Sequence, residues 1–433
     1  MRAVAITIAA LFLSQPAAAA SEFVVTKQAT CGDISYPALK SQLEREAAQG
    51  QPKAQEILGF IFMLGCGVSP DRQLARSYFQ GAAAKGDVQA EHNLAYNYEI
   101  GIGGEKSDTL AAYWYGKAAE QGFADAEVNL ASMYKDGRGV SKDWTKATEL
   151  YRQAAAQGSA MGQFGLGTAY EKGQGIGQDY AQAMAWYQKA AAQKEPLAMT
   201  AIGYLYSHGK GVTQDFEAAA HWYDAAAQLG DPLAENNLGG LYSSGKGVAR
   251  DAVQAADWYA KAAAHGLPAA STNLGALYAA GRGVRQDYQR AAELFEVAAA
   301  AGDAQGQHNL GYSYLTGRGV KKSDAQAFYW FEKAAEQDHA AAQHNLGLMY
   351  ANGLGVPVNY SEAFRWLKRS SDLGNPTAPN DLGNLYEKGL GVPPDRSKAI
   401  DLYRKSADLG SATAKENLQR LLGMDRSDLK SQF

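Results

Sequence analysis

Three groups of residues have types and spacings that could do chemistry. Ser207-His208-Gly209-Lys210 and Ser243-Ser244-Gly245-Lys246 match S-x-x-K, a spacing in which a lysine amine can activate a serine nucleophile. Gly240 to Gly247 reads G-x-x-x-x-G-K-G, one residue short of a phosphate-binding loop. It lacks the Ser or Thr that would hold magnesium, and it follows a helical pattern where a strand is required. His92, His308 and His344 recur at one repeated position. Stacked helices would set neighbouring copies about 8–10 Å apart, too far to share a zinc ion whose ligand bonds are about 2 Å. No paired carboxylates and no Cys-His or Ser-His-Asp arrangement follow from the spacing. The expectation is a chain with no catalytic site, no metal and no cofactor.

The same residues make better sense as parts of a repeat. Gly65, Gly101, Gly137, Gly173, Gly209, Gly245, Gly281, Gly317, Gly353 and Gly389 fall 36 residues apart without interruption, so ten units fill residues 51–410. A leucine column (Leu94, Leu130, Leu166, Leu238, Leu274, Leu310 among others) is followed four residues on by Tyr98, Tyr134, Tyr170, Tyr242, Tyr278 and Tyr314. Spacings of four place these on one helix face. Gly239 sits where a side chain would hold a neighbouring helix away. Gly245-Lys246-Gly247 stops the first helix of a unit, because glycine readily takes the left-handed conformation of a helix end. Asp251 is a plausible N-cap for the second helix, which carries Ala255, Trp258, Tyr259, Ala262 and Ala263 at spacings of three and four. A lone pair of such helices cannot bury its apolar face, whereas stacked pairs share one core.

The ends differ from the repeats. Met1-Arg2, an apolar run of 11 residues from Ala3 to Leu13, and Ala18-Ala19-Ala20 have the layout of a secretory signal peptide in residues 1–20. Residues 21–50 are expected to hold an N-terminal segment and a capping helix, and residues 411–433 a second capping helix and a polar tail. Without residues 1–20 the chain keeps 40 basic and 45 acidic residues. That balance argues against a nucleic-acid partner or an anionic membrane surface, and no later segment reads as a membrane span. The expected location is periplasmic or secreted. Two cysteines, Cys31 and Cys66, in an exported chain suggest a disulfide; the alternative is two unpaired small apolar residues.

The unit Ala-x-x-x-Leu-Gly-x-x-Tyr-x-x-Gly-x-Gly-Val, then Asp, then Ala-x-x-Trp-Tyr-x-x-Ala-Ala-x-x-Gly, well shown by residues 269–302, resembles the Sel1-like repeat, a relative of the tetratricopeptide repeat. The resemblance implies an all-α, right-handed α-solenoid of ten 36-residue helix-turn-helix repeats with terminal capping helices. It also implies an adaptor that binds a protein or peptide, in bacterial envelope signalling, secretion or host interaction. Glycan or cell-wall polymer binding is the alternative, and a hydrolase acting on a β-lactam or ester the remotest reading. Gly104 in place of valine, Lys194 and Asp338 in place of the closing glycine, and Ser370-Ser371 in place of Ala-Ala depart from the pattern. They suggest local looseness.

In such a solenoid the first helix of each unit lines the concave face. Positions two before and two after the leucine vary while their neighbours repeat, and variation free of packing is available for recognition. The expected partner-binding residues are therefore Tyr96, Tyr204, His308, Tyr312 and His344, joined by the asparagines just before the leucine: Asn93, Asn237, Asn273, Asn309 and Asn345. Tyrosine offers rigid contact area with one polar end. The asparagine amides have two readings: satisfying backbone groups between repeats, or bonding an extended peptide. Arg138, Lys210, Lys246, Arg282 and Arg318, between the paired glycines, form a basic edge suited to offsetting the helix C-terminus.

Overall fold

The computed structural model describes residues 36–423. These form 22 helices and no strand. Each repeat contributes an antiparallel-type pair, a first helix A and a second helix B, and the pairs stack as a helical solenoid. The first unit of the chain runs to Gln214 and the second starts at Asp215; each is described by itself. The first opens with α1 (Tyr36–Ala48) and α2 (Pro52–Leu64), and closes with α9 (Tyr180–Ala192) and α10 (Pro196–His208). The second starts with α11 (Phe216–Ala227) and ends with α21 (Arg396–Asp408) and α22 (Ala412–Leu422).

The repeat frame determines where each helix starts and stops. In the second unit, Asp251 Oδ1 accepts from the backbone N–H of Val253 (2.9 Å) and Gln254 (3.1 Å), capping α13 (Ala252–Ala264) as expected. Helix α14 (Pro268–Ala280) begins with proline, whose missing N–H costs nothing in a first turn, and stops at Gly281, with φ of 64°. The turn then folds back, so that Asp287 N–H donates to the carbonyl of the column tyrosine Tyr278 (3.0 Å). Gly283 shows why the second glycine recurs: φ is 72°, and a Cβ there would lie 2.0 Å from the Ala252 carbonyl oxygen of the preceding repeat. Gly239 of α12 (Pro232–Ser244) plays the other expected part, since a Cβ there would meet Tyr259 at 2.9 Å.

The core follows the columns. Leu94, Leu166, Leu238 and Leu310 and the alanines Ala75, Ala111, Ala147, Ala255 and Ala327 are buried. Aromatic side chains of the B helices, Tyr115, Tyr187, Phe331 and Tyr403, fill the space between layers. Helix α1 adds Leu43 and Ala47 to a cluster with Ile57, Leu58 and the fully buried Cys66. Cys31, the other half of the expected disulfide, lies outside the described residues, as do the signal segment and the polar tail.

The departures from the repeat pattern keep the local geometry of the repeat, and Asp338, Ser370 and Gly104 do so with specific contacts. Lys194 and Asp338 keep the backbone of the glycine they replace, with φ of 61° and 59°. Ser370 Oγ donates to the Ala340 carbonyl (2.7 Å), binding a buried hydroxyl across the layer. Gly104 makes room for the buried Arg76, whose guanidinium donates to the Glu105 carbonyl at 3.2 Å.

Candidate functional site

The asparagine column links adjacent A helices. Asn129 Nδ2 lies 3.0 Å from His92 Nε2, Asn273 Nδ2 donates to Asn236 Oδ1 (2.9 Å), Asn345 Nδ2 lies 3.1 Å from His308 Nε2, and Asn417 Nδ2 donates to Asn380 Oδ1 (2.9 Å). The spacing is 37 residues each time, one repeat plus one, so the column before the leucine meets the column two before it in the preceding repeat. These amides therefore bond side chains of the neighbouring repeat, and the expected backbone partners are corrected on this point. His344 Nε2 sits 2.7 Å from Asp381 Oδ2 in the same register. His308 also stacks on His339, ring centroids 4.8 Å apart, and burial pushes its imidazole down to about 4.

A second ladder was not anticipated. The residue closing helix B reaches back 30 residues to the side chain before the histidine column: Gln121 to Glu91, Gln157 to Glu127, Gln193 to Gln163, Gln337 to Gln307, and His265 to Glu235. The signal was present as a recurrent Glu or Gln in one column and Gln in the other, and neither column is apolar enough to announce packing.

A third arrangement forms at some junctions between repeats, and it locates the candidate site. Near the end of α4 (Val88–Ile100), Glu99 accepts from Tyr115 Oη (2.9 Å) and from Arg138 Nη1 (2.7 Å). Burial pushes the Tyr115 phenol up, so it stays a donor. Glu171 likewise accepts from Tyr187 Oη (2.7 Å), while Lys210 Nζ donates to Tyr204 Oη (2.8 Å). Glu387 accepts from Tyr403 Oη (2.7 Å) and holds Arg420 through both oxygens at 2.6 and 2.7 Å. Acid, phenol and cation satisfy one another at the Glu99 and Glu387 junctions, whereas at Glu171 the acid and phenol pair and Lys210 bonds a second phenol, Tyr204.

At the junction of α14, α15 (Tyr288–Ala300) and α16 (Ala304–Thr316) the same positions read Ala279, Phe295 and Arg318. The acid and the phenol are gone and the cation is kept. What remains is a groove of about 280 Å³. Ala276, Ala279, Ala280, the buried Phe295 and Ser313, and Asn309, Tyr312, Tyr288 and Arg318 line it. Tyr312 is 44% exposed. The Arg318 guanidinium lies 5.4 Å from the Tyr288 ring centroid, and among the described residues no carboxylate lies within 4 Å of it.

The expected binding residues divide accordingly. Asn309 and Tyr312 are brought together in the groove. His308, Asn345, His344 and Asn273 are committed to links between repeats, Tyr204 is bonded by Lys210, and Asn93 is buried. Tyr96 is half-buried against the Tyr115 cluster, and Asn237 is half-buried. The basic edge does more than sit beside helix ends: Arg138 makes an ion pair, and Arg318 borders the groove. The groove alanines were missed because an alanine in a varying column reads as filler.

The S-x-x-K strings and the glycine-rich string lie at helix ends. Helix α12 runs through Ser244, so most of the G-x-x-x-x-G-K-G string is helical. Ser207 Oγ, at the head of the first S-x-x-K string, donates back to the Tyr204 carbonyl (3.0 Å). Among the described residues no three His, Cys, Asp or Glu side chains form a metal-binding group, and no helix is long and apolar enough to cross a membrane.

Stacked helix pairs with grooves at their junctions define an α-solenoid scaffold. The Sel1 repeat family model matches residues 52–87, 88–123, 124–159, 160–195, 196–231, 232–267, 268–303, 304–339, 340–375 and 378–411, and the chain belongs to the Sel1 repeat family. Proteins of this family are generally non-catalytic scaffolds for protein–protein interaction. Among solved structures, the chain is similar to a protective antigen present in uropathogenic Escherichia coli strains and displaying an SLR fold. Identity is 34%, the match covers 89% of this chain and 84% of that one, and the TM-score is 0.65. It is also similar to a Sel1 repeat protein from Oxalobacter formigenes, 29% identical over 73% of this chain and 94% of that one, with a TM-score of 0.51. No curated protein matches the chain.

Proposed function

We propose that this protein is an exported scaffold that binds a protein or peptide partner through its A-helix face, with the α14–α16 groove as the principal contact. The observation that carries the reading is that groove: an exposed tyrosine, an amide and a guanidinium with no carboxylate beside it converge where the junction around Glu99 is closed by its own acid, phenol and arginine. Exposed tyrosine and arginine beside apolar side chains are the residue types that dominate interface energetics. Export rests on the layout of residues 1–20, and a Cys31–Cys66 disulfide belongs to the same proposal. The relative described as a protective antigen is in keeping with a chain placed where other macromolecules meet it.

The test is a cross-linking capture from envelope extracts with the chain and with Tyr312→Ala, both checked for equal thermal melting. One protein held by the parent and lost by the variant supports the reading. The same set on both baits, or nothing on either, overturns it. Export is tested separately by fractionation and N-terminal sequencing: a periplasmic or secreted product starting near Ser21 supports it, and a cytoplasmic product starting at Met1 removes it.

A further inference from the structure

We infer that the α14–α16 groove is a receptor for a glutamate side chain supplied by the protein partner. The inference rests on the peptide-scaffold reading above and names the chemistry of its ligand. The argument comes from the chain's own repetition. Arg138 is flanked by two acids, Glu99 at 2.7 Å and Asp136 at 3.8 Å. Arg318 stands at the same repeat position five units further on, and its corresponding neighbours are Ala279 and Thr316. At two junctions that lose the cation as well, all three positions are apolar: Leu315, Phe331 and Leu354, and Met63, Phe79 and Ile102. Ser243, Tyr259 and Arg282 keep a phenol and put a hydroxyl where the acid stood, whereas the α14–α16 junction keeps its arginine with both acid and phenol replaced by apolar side chains.

The geometry of the lost carboxylate is supplied by the occupied junctions. Glu387 is held by Arg420, which stands one repeat on in the column of Tyr312. Glu99 is held by Arg138, in the column of Arg318. A carboxylate placed in the space above Ala279 is therefore met by the Arg318 guanidinium and the Tyr312 hydroxyl, both donors. The replacement of Tyr115 by Phe295 at this junction fits the same picture, since a phenol under Ala279 would have no acceptor in the free chain. A groove of about 280 Å³ is below the roughly 300–1,000 Å³ of small-molecule sites, which suits one side chain of a larger partner. Its alanine and phenylalanine surfaces favour apolar neighbours on either side of the glutamate.

The test uses the full chain and two pools of octapeptides, acetylated and amidated at their ends. One carries a central glutamate among Leu, Val, Ala and Phe, and the other carries glutamine in its place. The glutamate pool is expected to bind about tenfold more tightly, the size of one charge-assisted contact. Arg318→Ala should abolish the difference. A second variant fills the groove from within: Ala279→Glu with Phe295→Tyr rebuilds the trio seen at Glu99, Tyr115 and Arg138. It should raise the melting temperature and remove the glutamate preference, so loss of binding cannot be blamed on unfolding. Equal binding of the two pools, or an undiminished preference in either variant, overturns the inference. So does equal binding of a glutamine pool with free C-termini, or equal competition by glucuronate, which would assign the groove to a chain end or a sugar acid. If the pools do not bind while Tyr312→Ala still loses a captured protein, the glutamate receptor fails and the scaffold reading stands.

Discussion

The junction around Glu99 and the junction around Ala279 are built on the same columns and reach opposite states. At the first, a buried phenol, a carboxylate and a guanidinium consume one another's hydrogen-bonding capacity. At the second, the arginine is kept, the other two are apolar, and a groove opens beside an exposed tyrosine. The difference separates what a repeat needs for stacking from what it can release for recognition. The aromatic ring on helix B is required in both states, as Tyr115 or Phe295, because it fills the layer. The polar trio is dispensable, because removing acid and phenol together leaves no buried group unpaired.

The largest expected effect tests the shared part. Tyr115→Ala and Phe295→Ala should each cost about 3–5 kcal/mol, because both empty a buried aromatic site. Urea unfolding followed by circular dichroism measures it. A cost below about 1 kcal/mol at Phe295 would mean that the groove is already a loose layer, and the comparison would fail there. The next effect tests the difference. Glu99→Ala strands the buried Tyr115 hydroxyl and Arg138, and should cost about 1–3 kcal/mol. Ala279, its counterpart, is natively without the acid. Arg318→Ala should therefore change stability by less than about 0.5 kcal/mol, as for an exposed side chain without a buried partner. Equal costs for Glu99→Ala and Arg318→Ala would show that Arg318 has a structural partner after all.

The common part of this comparison was legible in the sequence and the distinctive part was not. The period of 36, the glycine pair, the leucine and tyrosine columns and the Asp251 cap all report backbone geometry or packing, and repetition amplifies such signals ten times over. Gly283 could be anticipated because positive φ has few solutions. Side-chain partners one repeat away could not be assigned by helical spacing alone, since the register of one A helix against the next decides whether Asn273 meets a backbone carbonyl or Asn236. For that reason the histidines and asparagines of the varying columns looked available when most are spent on links between repeats. The groove depends on an absence, alanine where another repeat has glutamate, and becomes visible only once Arg138 and Glu99 are known to touch.

Two buried titratable groups extend the contrast to pH. His308 accepts at Nε2 from Asn345 and stacks on His339, with Phe331 against it and Asp303 on the His339 side. Burial, reinforced by His339, pushes His308 down to about 4. The unfolded imidazole binds its proton near 6.5, so folding stability from this group is complete above that pH and is lost as the pH falls towards 4. Glu56, buried beside Lys53, is pushed up to about 7. Its sign is the reverse: stability is complete below the ordinary carboxylate range and is lost as the pH rises to about 7. Melting curves across pH 4–7.5 should fall less steeply on acidification for His308→Gln than for the parent. Glu56→Gln should remove a loss on the alkaline side. Unchanged slopes in both variants would remove the pH contrast.

The smallest effect concerns two residues with one backbone conformation and different side-chain commitments. Lys194 and Asp338 both take the positive φ that every other closing position gives to glycine. Lys194 is exposed and makes no hydrogen bond through its side chain among the described residues, so Lys194→Gly relieves the left-handed strain at little cost and should stabilise by up to about 1 kcal/mol. Asp338 accepts from Arg369 Nη2 at 2.7 Å and from Gln343 Nε2 at 3.3 Å. Asp338→Gly gives up both contacts for the same relief and should come out near zero. Differential scanning calorimetry resolves the pair. A larger gain at Asp338 than at Lys194 would mean that its bonds to Arg369 and Gln343 contribute nothing, and that strain alone governs the closing turn.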